Sequence, residues 1–352
     1  MTQGNRSQAP GVAALALLAA LGTAAHVQEG LDPSDALRLG EAFRLADSVQ
    51  TRVWPGWEAT PFPVLLVGSE REFLVRAASP PADFELLGVS ALLQSEVRAR
   101  PRHQPPGLLA TFPAFGADPV VVIGGAAATG KRSTDWVLSV LHEHFHQYQM
   151  SDPGYYPQTR ALDLAGGDES GMWMLNYPFP YAAPEVAGRF GRLSGDLAAL
   201  IVNPSAGGRA QFWDDYAAFV ASLAAPDRRY LGLQVWQEGV ARYVELRVAQ
   251  AAADLAPTLE FRALPDYEPF AETAGRKWAE TLDQLRRSEL PTRRREAFYA
   301  FGAGLALLLD QEGVGWKARY LADKFSLERY RTSADGAGRV PHALEGGRRT
   351  RR

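Results

Sequence analysis

The 352-residue chain contains no cysteine. That excludes disulfides, thiolate metal ligands, a lipidated N-terminal cysteine and a cysteine nucleophile, so any bound metal has to be held by histidine and carboxylate. An excess of one charge is lacking too: 37 Lys and Arg stand against 40 Asp and Glu, a formal net charge of -3, and no broad nucleic-acid-binding surface is expected. Beyond residue 25 no apolar run reaches the roughly 20 residues that a membrane-spanning helix needs. Histidine is scarce, with six in the chain, yet His142, His144 and His146 all fall within LHEHFHQYQ, together with Glu143.

What is present is ordinary for a globular protein. With 46% hydrophobic and 22% charged residues, the chain has enough apolar material for one large domain or two subdomains. The first 25 residues differ from the rest: Arg6 near the amino terminus, an apolar run GVAALALLAAL at 11–21, and small residues at Thr23, Ala24 and Ala25. This is the pattern of a secretory signal peptide, and it predicts an exported mature chain, periplasmic or extracellular, starting near His26. The last segment, 333–352, is glycine-rich, ends in RRTRR and reads as a disordered basic tail.

Between these ends the periodicity changes once. Residues 34–53 repeat Leu37, Leu39, Phe43, Leu45 and Val49 at helical spacing. PFPVLLVGS at 61–69 and DPVVVIGG at 118–125 read as strands, with REFLVRA at 71–77 a weaker one. After residue 134 the patterns are nearly all helical. The expected fold class is α+β: an N-terminal subdomain over 26–133 with a small mixed sheet and helices, then a mainly helical subdomain over 134–332. The aromatic and proline-rich stretch within 151–230 (YYP, MWMLNYPFPY) is expected to pack under a long loop.

LHEHFHQYQ lies in the helix predicted over 134–150, with Ser133 or Thr134 as its cap and a stop at Pro153-Gly154. His142 and His146 are four residues apart, so both imidazoles leave one face and can meet a single ion. Glu143, about 100° further round, sits beside that face, which suits a base acting on a water at the metal. His144, about 200° from His142, cannot join them. The spacing is H-E-x-x-H, a zinc metalloprotease signature, although a helix that merely carries three surface histidines has the same letters.

A catalytic zinc needs a third protein ligand. Glu169, in GGDESGMW, and Glu238, in WQEGVARYVE, compete for the place. Glu238 has the better setting: Leu233, Trp236, Val240 and Val244 form an apolar stripe with Glu238 on a neighbouring face, and Gly239 and Ala241 would allow a second helix to come close to the metal. Glu245, one heptad on, either orients a ligating imidazole or pairs with Arg242.

HEHFH followed by QEGVARYVE resembles the gluzincin superfamily of zinc metallopeptidases, in which H-E-x-x-H supplies two ligands and a downstream E-G-x-A helix the third. FYAFGAGLALLLDQEGVGWKARYL at 298–321 is similar to the segment that follows the zinc site in the aminopeptidase-like branch, where Y-x-x-G opens a helix. The resemblance implies a zincin-like fold, one zinc held by His142, His146 and Glu238, Glu143 as general base, Tyr299 as stabiliser of the transition state, and a peptide or protein substrate. Glu238 stands farther from HEHFH than in that branch, so 151–230 is an insertion, a lid or part of a different pocket. No G-x-M-E-N stretch is present, and no member family is implied. A catalytically silent binding protein of this fold remains the alternative.

GGAAATGKRS matches G-x-x-x-x-G-K through Gly125, Gly130 and Lys131, but Arg132 stands where a phosphate loop needs Ser or Thr for magnesium. A nucleotide-binding protein is therefore the weakest reading. VVVIGG is expected instead as an edge strand beside the metal cleft.

Overall fold

The computed structural model describes residues 30–331, so the leader expected at 1–25 and the tail expected at 333–352 lie outside the described residues. Helix α1 (Pro33–Val53) starts where the Asp32 carboxylate accepts the amides of Ser34 and Asp35, with Pro33 at the first helical position. It buries Leu39, Phe43, Leu45 and Val49.

Six strands follow: β1 (Val64–Val67), β2 (Arg71–Val75), β3 (Glu85–Ser90), β4 (Ser95–Pro101), β5 (Leu109–Phe112) and β6 (Val120–Gly124). They form one mixed sheet in the order β3-β4-β2-β1-β6-β5, antiparallel throughout except for the parallel pair β1 and β6. Side chains alternate between two apolar layers. Val64, Leu66, Phe73, Val75, Val121 and Ile123 join the main core, while Leu65, Val67, Leu74, Val120 and Val122 form a smaller cluster with Phe84 on the other face. Every residue of β1 and β6 is buried, which is why these two read as continuous apolar runs.

One sequence expectation is corrected here. VVVIGG is not the sheet edge: β6 is paired on both sides, and β5 takes the edge next to it. β5 escaped notice because it is four residues long, and β3 and β4 because they carry few inward apolar side chains. In β4 these are Val97 and Ala99, set among Glu96, Arg98 and Arg100.

From β6 the chain passes into α2 (Ser133–Ser151) and then a succession of helices: α3 (Pro184–Val202), α4 (Ala206–Ser222), α5 (Ala225–Gln234), α6 (Val240–Ala252), α7 (Phe270–Arg287) and α8 (Ala297–Glu312). The fold is thus mixed α+β, with the sheet in the N-terminal half and a mostly helical C-terminal half. A single apolar cluster reaches from Leu31 to Tyr330, so sheet and helices share one core. Among the described residues no helix is long and apolar enough to cross a membrane. Within 151–230, Tyr155, Phe179 and Tyr181 are buried as packing predicts, while Met172 and Leu175 are exposed.

Helix α2 is fixed at both ends by polar contacts. Ser133 and Thr134 do not cap it as expected: the Ser133 hydroxyl donates to Asp266 (2.5 Å) and the Thr134 hydroxyl to the Glu268 carbonyl (2.6 Å), tying the helix start to the loop before α7. Trp136 donates its indole N–H to the Gly124 carbonyl at the end of β6 (2.8 Å). Further along, the Gln147 amide donates to the carbonyls of Pro63 (2.9 Å) and Pro119 (3.0 Å), at the starts of β1 and β6. These are buried groups that need partners, so the helix has one register on the sheet.

The other decisive contact is backbone to backbone. A π-helical turn, Val235–Gly239, joins α5 to α6, and α8 crosses it so closely that a Cβ on Gly239 would lie 2.5 Å from the Gly302 Cα, and one on Gly302 2.6 Å from the Gly239 Cα. Gly239 therefore makes room for α8, and not, as the sequence suggested, for an approach to the metal. Either Gly239→Ala or Gly302→Ala is expected to lower stability by about 1–3 kcal/mol, the usual range for overpacking. Urea denaturation of the two variants checks this; an unchanged midpoint would show that the helices separate freely.

Candidate metal centre

His142 and His146 stand one turn apart on α2 and are 9% and 5% exposed. Their Nε2 atoms lie 3.8 Å and 3.5 Å from Oε2 of Glu238. All three potential ligand atoms fall within 4.8 Å of one another, and among the described residues no other group of three His, Asp or Glu converges in this way. Zinc–ligand bonds of about 2.0–2.1 Å at tetrahedral angles put ligand atoms roughly 3.3 Å apart; both histidine–glutamate pairs are near that spacing, and the two imidazoles, within 4.8 Å, close on the ion by side-chain rotation. Two nitrogens and one carboxylate oxygen are a zinc donor set, and the residues fit the ion.

The π turn is what brings Glu238 here. A turn of i→i+5 bonding offsets the helix faces on either side of it. Trp236, Val240 and Val244 stay in the core, while Glu238, between them in sequence, meets α2. The sequence gives no direct sign of this turn, although the E-G pair inside it is the E-G of the quoted motif. Glu169 is not brought to the cluster and lies exposed in its glycine-rich loop.

Each imidazole is oriented through its other nitrogen. His142 Nδ1 lies 3.2 Å from Oε2 of Glu245. Glu245 also binds Lys277 (2.6 Å) and Arg242 (3.1 Å), so both roles considered for it are realised together. His146 Nδ1 lies 2.6 Å from Oε1 of Gln149, whose amide donates to the Gln237 carbonyl (2.9 Å) and the Tyr320 hydroxyl (2.6 Å). With Nδ1–H donating in both rings, Nε2 is the nitrogen left to face Glu238, and it offers its lone pair to a metal once its own proton is lost. Gln149 was missed in the sequence; its signal was the i, i+3 spacing from His146.

His144 points the other way, as the helix geometry required, but it is not on the surface. Its ring stacks on Phe62 (centroids 3.6 Å apart, 7° between planes) and its nitrogens meet Gln50 and Gln147. Burial pushes its pKa down to about 3, so it is a neutral core residue.

The electrostatics of the ligand pair run in the opposite sense. Burial disfavours the charged form of His142, but the hydrogen bonds of Glu238 and Glu245 and the charges of Glu245 and Glu143 outweigh it and raise its pKa to about 9. His146 is raised as well, burial again being outweighed by Glu238. Against its own burial, Glu238 is held well below the usual carboxylate range by the two imidazoles. In the metal-free chain His142 therefore carries a proton at neutral pH that a metal has to displace.

Glu143 stands beside the cluster. Its Oε2 accepts from the Thr111 hydroxyl on β5 (2.8 Å), which also lies 2.9 Å from the Glu143 carbonyl. Thr111 was invisible in the sequence because its strand was. Tyr299, in the first turn of α8, accepts a hydrogen bond from Arg295. Burial and the charge of Glu238 keep its phenol well above its ordinary pKa, so it is a neutral hydrogen-bond donor beside the cluster.

The glycine loop 125–131 is not a phosphate cradle. The Ala126 amide donates to the Asp35 carboxylate (3.2 Å), and a Cβ on Gly125 would lie 2.2 Å from Asp35 Oδ2. A carboxylate of α1 fills the place a phosphate would take. Two surface cavities of about 300 and 330 Å³ are lined by other residues, among them Arg247 and Lys317 in one and Arg189 and Asp215 in the other. No protein-family model, curated protein or solved structure matches this chain.

Chelator competition is expected to show zinc affinity collapsing in Glu238→Ala and unchanged in Glu169→Ala; the reverse order would remove Glu238 from the ligand set. Glu245→Gln and Gln149→Ala should each weaken zinc by about 10–100-fold, the usual effect of losing a partner that orients a ligand. A proton occupies His142 below about pH 9, so zinc uptake at pH 7 should release protons and apparent affinity should rise from pH 6 to 9. Calorimetry in buffers of different ionisation enthalpy measures this directly, and zinc binding with no proton release would contradict it.

Proposed function

We propose that this chain is a zinc-dependent metallopeptidase of the gluzincin type, with a zincin-like arrangement of sheet, α2 and the Glu238 turn. The observation that carries the reading is the convergence of His142, His146 and Glu238 beside Glu143, with both Nδ1 atoms already engaged. When bound, zinc supplies Lewis acidity that polarises a substrate carbonyl and acidifies a water.

The chain's own residues supply the rest. Glu143 accepts the proton of the attacking water and returns it to the leaving amine. Thr111 holds the Glu143 carboxylate in place through Oε2. Tyr299 donates to the carbonyl oxygen as charge builds on it, an effect worth a few kcal/mol. Among the described residues β5 ends the sheet, and because Thr111 belongs to it, an extended peptide paired with that edge would pass beside Glu143. With the leader read at 1–25, the proposal extends to an exported enzyme acting on peptides or proteins, not on nucleic acid.

Screening the zinc-loaded chain against a peptide library by mass spectrometry tests this. Cleavage is expected, and Glu143→Gln should reduce it by about 10²–10⁴-fold while zinc stays bound, since a general base contributes that much. Thr111→Val should lower kcat by roughly tenfold or more, the scale of one hydrogen bond to a charged group. Cleavage undiminished in Glu143→Gln, or no cleavage of any peptide by the zinc-loaded chain, would defeat the peptidase reading; the second result would favour a silent binding protein.

A further inference from the structure

Arg295 belongs to the short turn Arg294–Glu296 that leads into α8. Its Nη1 donates to the Tyr299 hydroxyl, and its Cζ lies 5.6 Å from the centre of that ring. Several arginines near the core on neighbouring helices are ion-paired: Arg242 with Glu245, Arg247 with Asp310, Arg276 with Asp135 and Glu268. Arg295 differs. Among the described residues its hydrogen bond goes to a tyrosine, and no carboxylate forms an ion pair with it. A half-buried cation without a counter-ion is unfavourable and asks for an explanation.

Part of the explanation is local. Arg295 is one hydroxyl removed from Glu238, and that carboxylate, together with Tyr299 and Tyr230, favours its charge against burial. Glu238, however, is committed to the two imidazoles. The guanidinium has five N–H groups, and those that do not reach Tyr299 are not sealed away from solvent. They remain free to bind something that enters the site.

The backbone supports a positioned group. Arg294, immediately before, has φ +52°, a left-handed conformation in a residue that is not glycine. Such strain persists where the surroundings impose it and concentrates at functional sites. It lets two successive arginines take different partners: Arg294 lies over the Tyr181 ring at 5.4 Å, and Arg295 meets Tyr299. The Tyr181 hydroxyl is in turn 3.3 Å from that of Tyr230, so cations and tyrosines form one wall beside the metal cluster.

A planar guanidinium with free N–H groups matches a carboxylate in two-pronged fashion. We propose that Arg295 anchors a carboxylate of the substrate next to the bond being cleaved, so that the preferred substrates are peptides with an acidic group there, either a C-terminal carboxylate or an Asp or Glu side chain. This rests on the peptidase reading above for the identity of the ligand as a peptide.

The test measures equilibrium binding, separately from turnover. Three fluorescent tetrapeptides are titrated onto the zinc-loaded full chain carrying Glu143→Gln: one with neutral side chains and a free C-terminus, the same peptide amidated, and the amidated peptide with one Glu. At least one carboxylate-bearing peptide should bind about 10–100-fold more tightly than the neutral amide, the scale of a charge-assisted contact. Adding Arg295→Met should abolish that preference, and Arg295→Lys should keep only part of it. Preference for the free terminus identifies the C-terminal source, and preference for the Glu peptide the side chain. Equal or absent binding of all three, or a preference that survives Arg295→Met, overturns the proposal. Where Arg295→Met fails to fold, Arg295→Lys decides: an undiminished preference overturns it. Failure of the peptidase reading shows separately, as absence of hydrolysis with Glu143 restored.

Discussion

Holding the largely enclosed Glu238 carboxylate against two buried imidazoles is the demand around which the rest of the molecule is arranged. An ionised carboxylate leaves water only where opposite charge and hydrogen bonds replace its hydration. Here the partners are His142 and His146, themselves buried and held by Glu245 and Gln149. The compensation extends outward in shells: Lys277 and Arg242 answer Glu245, and Tyr320 and the Gln237 carbonyl answer Gln149. A cluster in which each ligand and each partner of a ligand is hydrogen-bonded in turn has few alternative geometries, which is the condition for holding a metal at fixed distances.

The elements that carry this cluster are themselves fixed by contacts that the ligands do not make. Gln147 and Trp136 set α2 on the sheet, and the Gly239–Gly302 contact sets α8 against the Glu238 turn. Since Tyr299 rides on α8, one turn before Gly302, the backbone contact also decides where its hydroxyl falls. The proposed base, ligands and hydrogen-bond donor thus come from β5-supported α2, the π turn and α8, three elements far apart in sequence.

That distribution explains what was legible beforehand. β1 and β6 are buried on both faces and α2 carries its chemistry within five residues, so local pattern was enough to find them. Glu238 could be favoured over Glu169 because its apolar stripe marks a packed helix, whereas a glycine-rich loop cannot hold a ligand rigidly. The support was not legible, for physical reasons. Thr111 lies in a four-residue edge strand, LATF, too short to show a period, and the π turn depends on α8 packing against Gly239. The partners of Arg295 are set by tertiary contact alone. The G-x-x-x-x-G-K loop shows the converse: its glycines are explained by the nearness of Asp35, and a motif read without that neighbour suggests a ligand the loop has no room for.

The most direct test of the central claim is the metal content of the purified chain, measured by elemental mass spectrometry on the wild type and on His146→Ala. About one zinc per chain, lost in the variant, is the predicted result. No zinc in the wild type even after reconstitution would contradict it, and would leave the His142–His146–Glu238 cluster as a buried ion-pair network with no metal to hold.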